Sequence, residues 1–254
     1  MWYDNYGEPV YHVIACHVLW RELCYFASLS PRTHQFTFLK QGLHNTPELL
    51  RQELQAAIDR ADERAEAILI GYGLCSNGLV GIRARTKRLV VMRGHDCITF
   101  LLGSKERYRE YFDTHPGTYW YSPGWIDTSI QPGKERYERV LKHYIETYGE
   151  ENAKYLMDAS ENWMQNYNNA AYVDLGFGDS ERYKAFTREC AEWLGWNCDF
   201  LEGDGRLMRD FLTGNWNERD FLVVEPGHVI VASHDETIIE SAAAPAPGDA
   251  EGTG

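Results

Sequence analysis

Residues 67–72 read Ala-Ile-Leu-Ile-Gly-Tyr and run straight into Gly73-Leu74-Cys75-Ser76-Asn77-Gly78. A continuous apolar run of this length, closed by turn residues, is expected of a strand covered on both faces in a parallel sheet. The pattern recurs at residues 88–92, Arg-Leu-Val-Val-Met, which lead into Arg93-Gly94-His95-Asp96-Cys97 ahead of the apolar residues 98–102. Upstream, Val-Tyr-His-Val-Ile-Ala-Cys at residues 10–16 passes into His17 and then into helical apolar spacing over residues 19–29. Residues 35–39 alternate as a further strand, and Asn45-Thr46-Pro47-Glu48 opens a helix whose pattern carries to about residue 64. Strands and helices alternating at these lengths imply right-handed βαβ crossovers, hence an α/β fold with a mostly parallel sheet and helices on both faces.

Residues 105–169 hold Tyr/Glu/Arg/Lys-rich helical stretches at 137–148 and 150–164. A strand at 171–175 ends in Gly176-Phe177-Gly178-Asp179, followed by a helix to Trp193 and strands at 197–201 and 221–224. The glycines there lack the GxGxxG or GxxxxGK spacing of a phosphate loop and read as a tight turn. Glu202-Gly203-Asp204-Gly205-Arg206 reads as another turn. The expected organisation is a single α/β domain over residues 1–233, with halves at about 1–130 and 131–233. The Ala/Pro/Gly/acidic residues 234–254 are expected to be a disordered tail.

With 254 residues the chain can bury a substantial core. Its net charge of −13 offers no basic stripe to displace counterions from a phosphate backbone, which argues against a nucleic-acid partner. The opening Met-Trp-Tyr-Asp-Asn-Tyr has no basic n-region or apolar h-region, and no apolar run approaches membrane-spanning length. A cytoplasmic protein is expected, and in a reducing compartment its six cysteines are thiols free for packing, catalysis or metal binding.

Ligands of open α/β sheets bind beyond the carboxyl ends of the strands. Cys16, Cys75 and Cys97 each fall at such a place, on three different loops, whereas Cys24, Cys190 and Cys198 fall inside elements and read as packing residues. If the three strands are neighbours, their thiols meet. Three thiolates leave one position open, on a tetrahedral Zn²⁺ or on one iron of a four-iron cluster. The expected cofactor is therefore a [4Fe-4S] cluster, with zinc as the alternative. His17 and His95 are the candidate proton-transfer residues. Asn77 and the aromatic stretch Tyr119, Trp120, Tyr121 and Ser122 are candidates for contacting a small-molecule substrate. The match of His95-Asp96-Cys97 to the His-x-Cys of zinc alkyltransferases lacks their downstream cysteine, unless Cys190 or Cys198 serves.

The stretches ILIGYGLCSNGL (residues 68–79), RGHDCITFLLGSKERY (93–108) and GTYWYSPGWI (117–126) resemble the DUF1638 family, over roughly residues 10 to 230. The resemblance implies an association with corrinoid-dependent methyltransferase systems, hence one-carbon chemistry and a corrinoid or methyltransferase protein as partner. The thiol arrangement also resembles that of quinolinate synthase, where cysteines on separate loops hold a four-iron cluster with an open iron. The functional expectation is a metal-dependent lyase or transferase, or an accessory factor, in sulfur or one-carbon metabolism. Its alternative is a non-catalytic module that binds a small molecule or a corrinoid protein and whose cysteines only pack.

Overall fold

The computed structural model describes residues 10–61 and 63–244. Along these the chain runs β1 (Val10–Cys16), α1 (Trp20–Ser28), β2 (Thr33–Leu39), α2 (Pro47–Asp59), β3 (Ala65–Gly71), β4 (Arg88–Met92) and α3 (Cys97–Leu102). It continues with α4 (Lys105–Thr114), β5 (Thr118–Tyr121), α5 (Pro123–Thr128), α6 (Lys134–Tyr148), α7 (Glu150–Glu161), β6 (Asn169–Asp174), α8 (Ser180–Leu194) and β7 (Asn197–Glu202). The last elements are α9 (Arg206–Thr213), β8 (Phe221–Val224), β9 (His228–Ala232) and β10 (Ile239–Ala243).

The molecule is mixed α/β and divides into two compact units, one from residues 1–105 and 205–254 and the other from 106–204. The inserted middle segment therefore replaces the expected division into successive halves near residue 130. The reason is topological: strand β8, far along the chain, returns to pair with β4.

In the first unit the sheet order is β2-β1-β3-β4-β8, parallel throughout except for the antiparallel β4–β8 edge. Its central strands are apolar on both faces for the reason read from the sequence: Val13, Ile14 and Ala15 of β1 and Ala67, Leu69 and Ile70 of β3 are all fully buried. Gly71 is required where these strands touch, since a Cβ there would lie 2.5 Å from the Cβ of its register partner Ala15. Helix α2 begins at Pro47 in its first turn, where the missing N–H costs nothing, and turns Leu50, Leu54, Ala57 and Ile58 inward.

The second unit carries its own parallel sheet, β5-β6-β7. Tyr121, Ala170, Tyr172, Tyr183, Cys190 and Ala191 form its core.

The carboxyl-terminal stretch departs from the expected disorder as far as residue 244. There β10 pairs antiparallel with β9, and Ile238 and Ile239 are buried. The guanidinium of Arg93, itself 9% exposed, reaches into this region. Its Nε donates to the carbonyls of Glu218 (3.0 Å) and Phe221 (3.1 Å), and its Nη1 donates to those of Thr237 (2.8 Å) and Ile239. Two apolar residues and one buried cation fix a segment whose composition alone suggested a tail. Residues 245–254 of that expectation lie outside the described residues, as does the opening stretch at 1–9. No described helix is long and apolar enough to cross a membrane.

Candidate functional site

Because β1, β3 and β4 are adjacent and parallel, their carboxyl ends share one edge of the sheet, and each hands the chain to a cysteine-bearing loop. Cys16 is the last residue of β1. Beyond β3 the chain passes Tyr72 and Gly73 into Leu74-Cys75, and beyond β4 it passes Arg93 and Gly94 into His95-Asp96-Cys97.

The last two loops are strapped together by backbone hydrogen bonds, Leu74 N–H to the Gly94 carbonyl and Cys75 N–H to the His95 carbonyl, both 2.9 Å. Gly73 permits the strap: a Cβ there would lie 2.8 Å from the N and Cα of Asp96. Asp96 accepts from Ile98 N–H at 3.0 Å and so caps α3, which makes Cys97 the first residue of that helix.

The loop after β3 then makes an unusual turn. Cys75, Ser76 and Asn77 have φ of 46°, 56° and 67°, three successive left-handed residues without a glycine among them. The turn is closed by Gly78 N–H to the Cys75 carbonyl (3.0 Å) and Val80 N–H to the Asn77 carbonyl (3.1 Å). Left-handed backbone costs an L-residue about 1–2 kcal/mol, least for asparagine. Strain of this kind persists where the surroundings over-determine it, and such places cluster at functional sites.

Electrostatically the three thiols belong together. Burial pushes all three upward in pKa, and it is the largest cause in each. Cys75 is raised to about 12, with the charges of Asp96 and Cys16 adding to burial. Cys97 is raised well above its ordinary value, by burial first and then by the charges of Asp96, Cys16 and Cys75. Each thiol thus lies within electrostatic reach of the other two. All three are protonated at neutral pH, which is the opposite of the depressed pKa that activates a nucleophilic cysteine.

Beside them stands Tyr72, 2% exposed. Its hydroxyl is buried with no nitrogen or oxygen partner among the described residues, and the polar neighbour it leans on is the Cys16 thiol. Burial, followed by the charge of Cys16, raises the Tyr72 pKa, so the phenol is a neutral donor.

The sequence-predicted residues distribute as follows. Cys16 is buried, while Cys75 and Cys97 keep partial exposure. His17 is exposed, stacked on Trp20 at 6.2 Å and edge-on to Phe38 at 6.0 Å. His95 is exposed as well, and its carbonyl completes the strap. Asn77 is exposed in the left-handed turn.

Tyr119, Trp120, Tyr121 and Ser122 belong to the second unit, where they form β5 and its exit. Tyr121 is fully buried in that unit's core, and Ser122 Oγ caps α5 by accepting from Trp125 N–H at 3.3 Å. Tyr119 Oη accepts from Trp125 Nε1–H at 3.2 Å, and Trp120 stacks on Tyr108 at 5.8 Å. Of the remaining cysteines, Cys190 lies in the second unit's core with Cys198 packed against it, and Cys24 lies on α1.

Three residues of this edge escaped the sequence reading: Tyr72, Asp96 and His44. His44 lies in the loop beyond β2, where burial lowers its pKa against the pull of Asp96. The strand-end rule that selected the cysteines points to His44 too, once β2 is known to lie beside β1.

Among the described residues, no group of three or more His, Cys, Asp or Glu stands close enough to hold a metal ion as it is. No curated protein and no solved structure matches the chain. A family model described as "Protein of unknown function (DUF1638)" matches residues 38–212, a span that takes in Cys75 and Cys97 and begins after Cys16. With more than half of its length matched, the chain belongs to the DUF1638 family.

Proposed function

We propose that the carboxyl ends of β1, β3 and β4 form a three-thiol site for a [4Fe-4S] cluster, with zinc as the alternative occupant. On this reading the protein is a metal-dependent lyase or transferase, or an accessory factor, in sulfur or one-carbon chemistry. The observation that carries the proposal is that Cys16, Cys75 and Cys97, brought by three adjacent strand ends, perturb one another's protonation, with Cys75 held in a strained turn strapped to the Cys97 loop.

The two occupants differ in the spacing they ask of the sulfurs. Zn–S bonds near 2.3 Å place thiolates about 3.8 Å apart around a single tetrahedral ion. A four-iron cluster gives each thiolate its own iron and accepts a wider triangle. When bound with three protein ligands, it supplies a Lewis-acidic iron for an oxygen or sulfur atom. The chain's own contribution is to hold three sulfurs, shed their protons on loading, and keep Tyr72 beside them.

The second reading is a non-catalytic binding module in which the thiols pack. Anaerobic purification with iron, sulfide and zinc analysis separates the two. Serine is a harder and less acidic donor than cysteine, so Cys16→Ser, Cys75→Ser and Cys97→Ser are expected to lose metal, while Cys24→Ser, Cys190→Ser and Cys198→Ser retain it. Equal metal content in all six variants selects the binding module.

A further inference from the structure

An open cavity of about 470 Å³ lies within the second unit, walled by residues 126–131 and Glu135, which follow β5, and by the first two turns of α8, which follow β6. Open parallel sheets take their ligands among the chain segments that leave the carboxyl ends of their strands. Gln131 is the unusual member of the wall. It is 3% exposed, and its amide is held by one end. Its Nε2 donates to the Trp125 carbonyl (2.6 Å), the Ser129 carbonyl (3.1 Å) and Ser129 Oγ (2.7 Å). Exchanging the two ends of the amide would set an oxygen against these acceptors, so Oε1 is fixed on the other side. There it is buried with no donor among the described residues. Buried acceptors are normally paired, and this one lines a cavity through which a donor can arrive.

The rest of the lining sets the chemistry of that donor. The hydroxyls are committed to the protein: Tyr183 Oη donates to Asp127 Oδ2 (2.9 Å), Thr128 Oγ1 to the Gly124 carbonyl (2.7 Å) and Ser129 Oγ to the Trp125 carbonyl (3.0 Å). What the lining offers a ligand is therefore mostly acceptors, Gln131 Oε1 and the carboxylates of Asp127 and Glu135. The one cation among the lining residues, Arg182, lies over the Tyr183 ring at 5.3 Å. Ile126 and Phe186 add apolar surface. We infer that this cavity binds a small primary amine in its ammonium form. Gln131 Oε1 accepts from the ammonium, the Asp127 and Glu135 carboxylates answer its charge, and Ile126 and Phe186 receive its apolar body. An ammonium suits such a lining because it brings several donors and a positive charge on one atom, and accepts nothing. The inference stands on the second unit alone and is independent of the metal reading of the thiols.

The test titrates the full nitrogen-15-labelled chain with butylammonium, butanol and butyrate at matched ionic strength. Magnetic resonance follows the Gln131 side-chain amide and the backbone amides of residues 126–131. Butylammonium is expected to shift these signals to saturation at concentrations where butanol and butyrate leave them unmoved, with the Gln131 amide moving most as its carbonyl gains a donor. Equal titrations by butylammonium and butanol would reduce the site to an apolar crevice and overturn the inference. Tighter binding of butyrate would make Arg182 the anchor of an anion site and overturn it as well. So would shifts that spread over the surface without saturating, which would assign the amine to the chain's net charge of −13.

Asp127→Asn combined with Glu135→Gln removes both carboxylate charges and keeps the side-chain shapes, including an acceptor for Tyr183. This double variant is expected to melt where wild type does and to need about tenfold more butylammonium. Glu135 is exposed in the first turn of α6, so Glu135→Gln alone keeps the test valid should the double variant unfold. It is expected to need about threefold more butylammonium. An unchanged titration in a folded double variant, or in Glu135→Gln where the double variant unfolds, overturns the inference.

Discussion

Replacing Ser76 by glycine tests whether the turn that carries Cys75 is strained. Ser76 has φ of 56° and an exposed side chain, so the substitution changes backbone freedom and little packing. Relief of left-handed strain is worth about 1–2 kcal/mol at a non-glycine residue. Against it stands the greater freedom of glycine in the unfolded chain, about 0.5–1 kcal/mol. The difference is a net gain of about 0.5–1 kcal/mol in the metal-free protein, or about 1–3 °C in melting temperature for a chain of this size. Urea unfolding should show the midpoint rising with an unchanged slope. If the strain also holds Cys75 in place, metal occupancy should fall in the same variant, because a loop free to sample other conformations presents its thiol less often. A Ser76→Gly protein no more stable than wild type would refute the claim that the turn stores strain, and with it the argument that the turn exists for the site.

Gly73→Ala would force a Cβ to within 2.8 Å of the Asp96 backbone, where no side chain can yield. A loss of about 1–3 kcal/mol by denaturant unfolding is expected, together with reduced metal retention as the two loops part. Arg93→Met removes the donor to four carbonyls and should cost about 3 kcal/mol or more, seen first as faster proteolysis after β8. His34 supplies a pH dependence. Burial lowers its pKa below the usual 6.5, against the Leu212 carbonyl that meets its Nε2 at 2.9 Å. The unfolded chain therefore takes up a proton that the folded chain refuses. The stability this contributes is complete above pH 6.5 and is lost as the pH falls through 6.5 toward the lowered value. His34→Gln should flatten the melting-temperature profile between pH 7 and 5, and an unchanged profile would assign the slope to other groups.

What could be read in the sequence was whatever burial dictates locally. Val10–Cys16 and Arg88–Met92 are strands within the read boundaries because apolar runs covered on both faces have one sensible home. Thr118–Tyr121 carries the aromatic residues expected to contact a substrate, and its flanking Gly and Pro give no strand signal. It is a strand because its backbone finds β6, with Thr118 opposite Asn169 and Tyr121 opposite Tyr172. Residues 239–243, Ile-Glu-Ser-Ala-Ala, carry no strand pattern at all and are one through pairing with β9.

The site divides along the same line. A rule about strand ends selects three cysteines without knowledge of register. Tyr72 needs the register itself, in which Ala15 lies opposite Gly71, so that the residues following each, Cys16 and Tyr72, become neighbours. The left-handed turn was hidden for the opposite reason: positive φ is the signature of glycine, and here it falls on Cys75, Ser76 and Asn77, of which only the asparagine hints at it. A chain that places three successive non-glycine residues in that conformation, and removes a phenol hydroxyl from water beside them, departs from its own stability optimum there. That the departures coincide with the meeting of three strand ends is the physical reason to seek the protein's chemistry there.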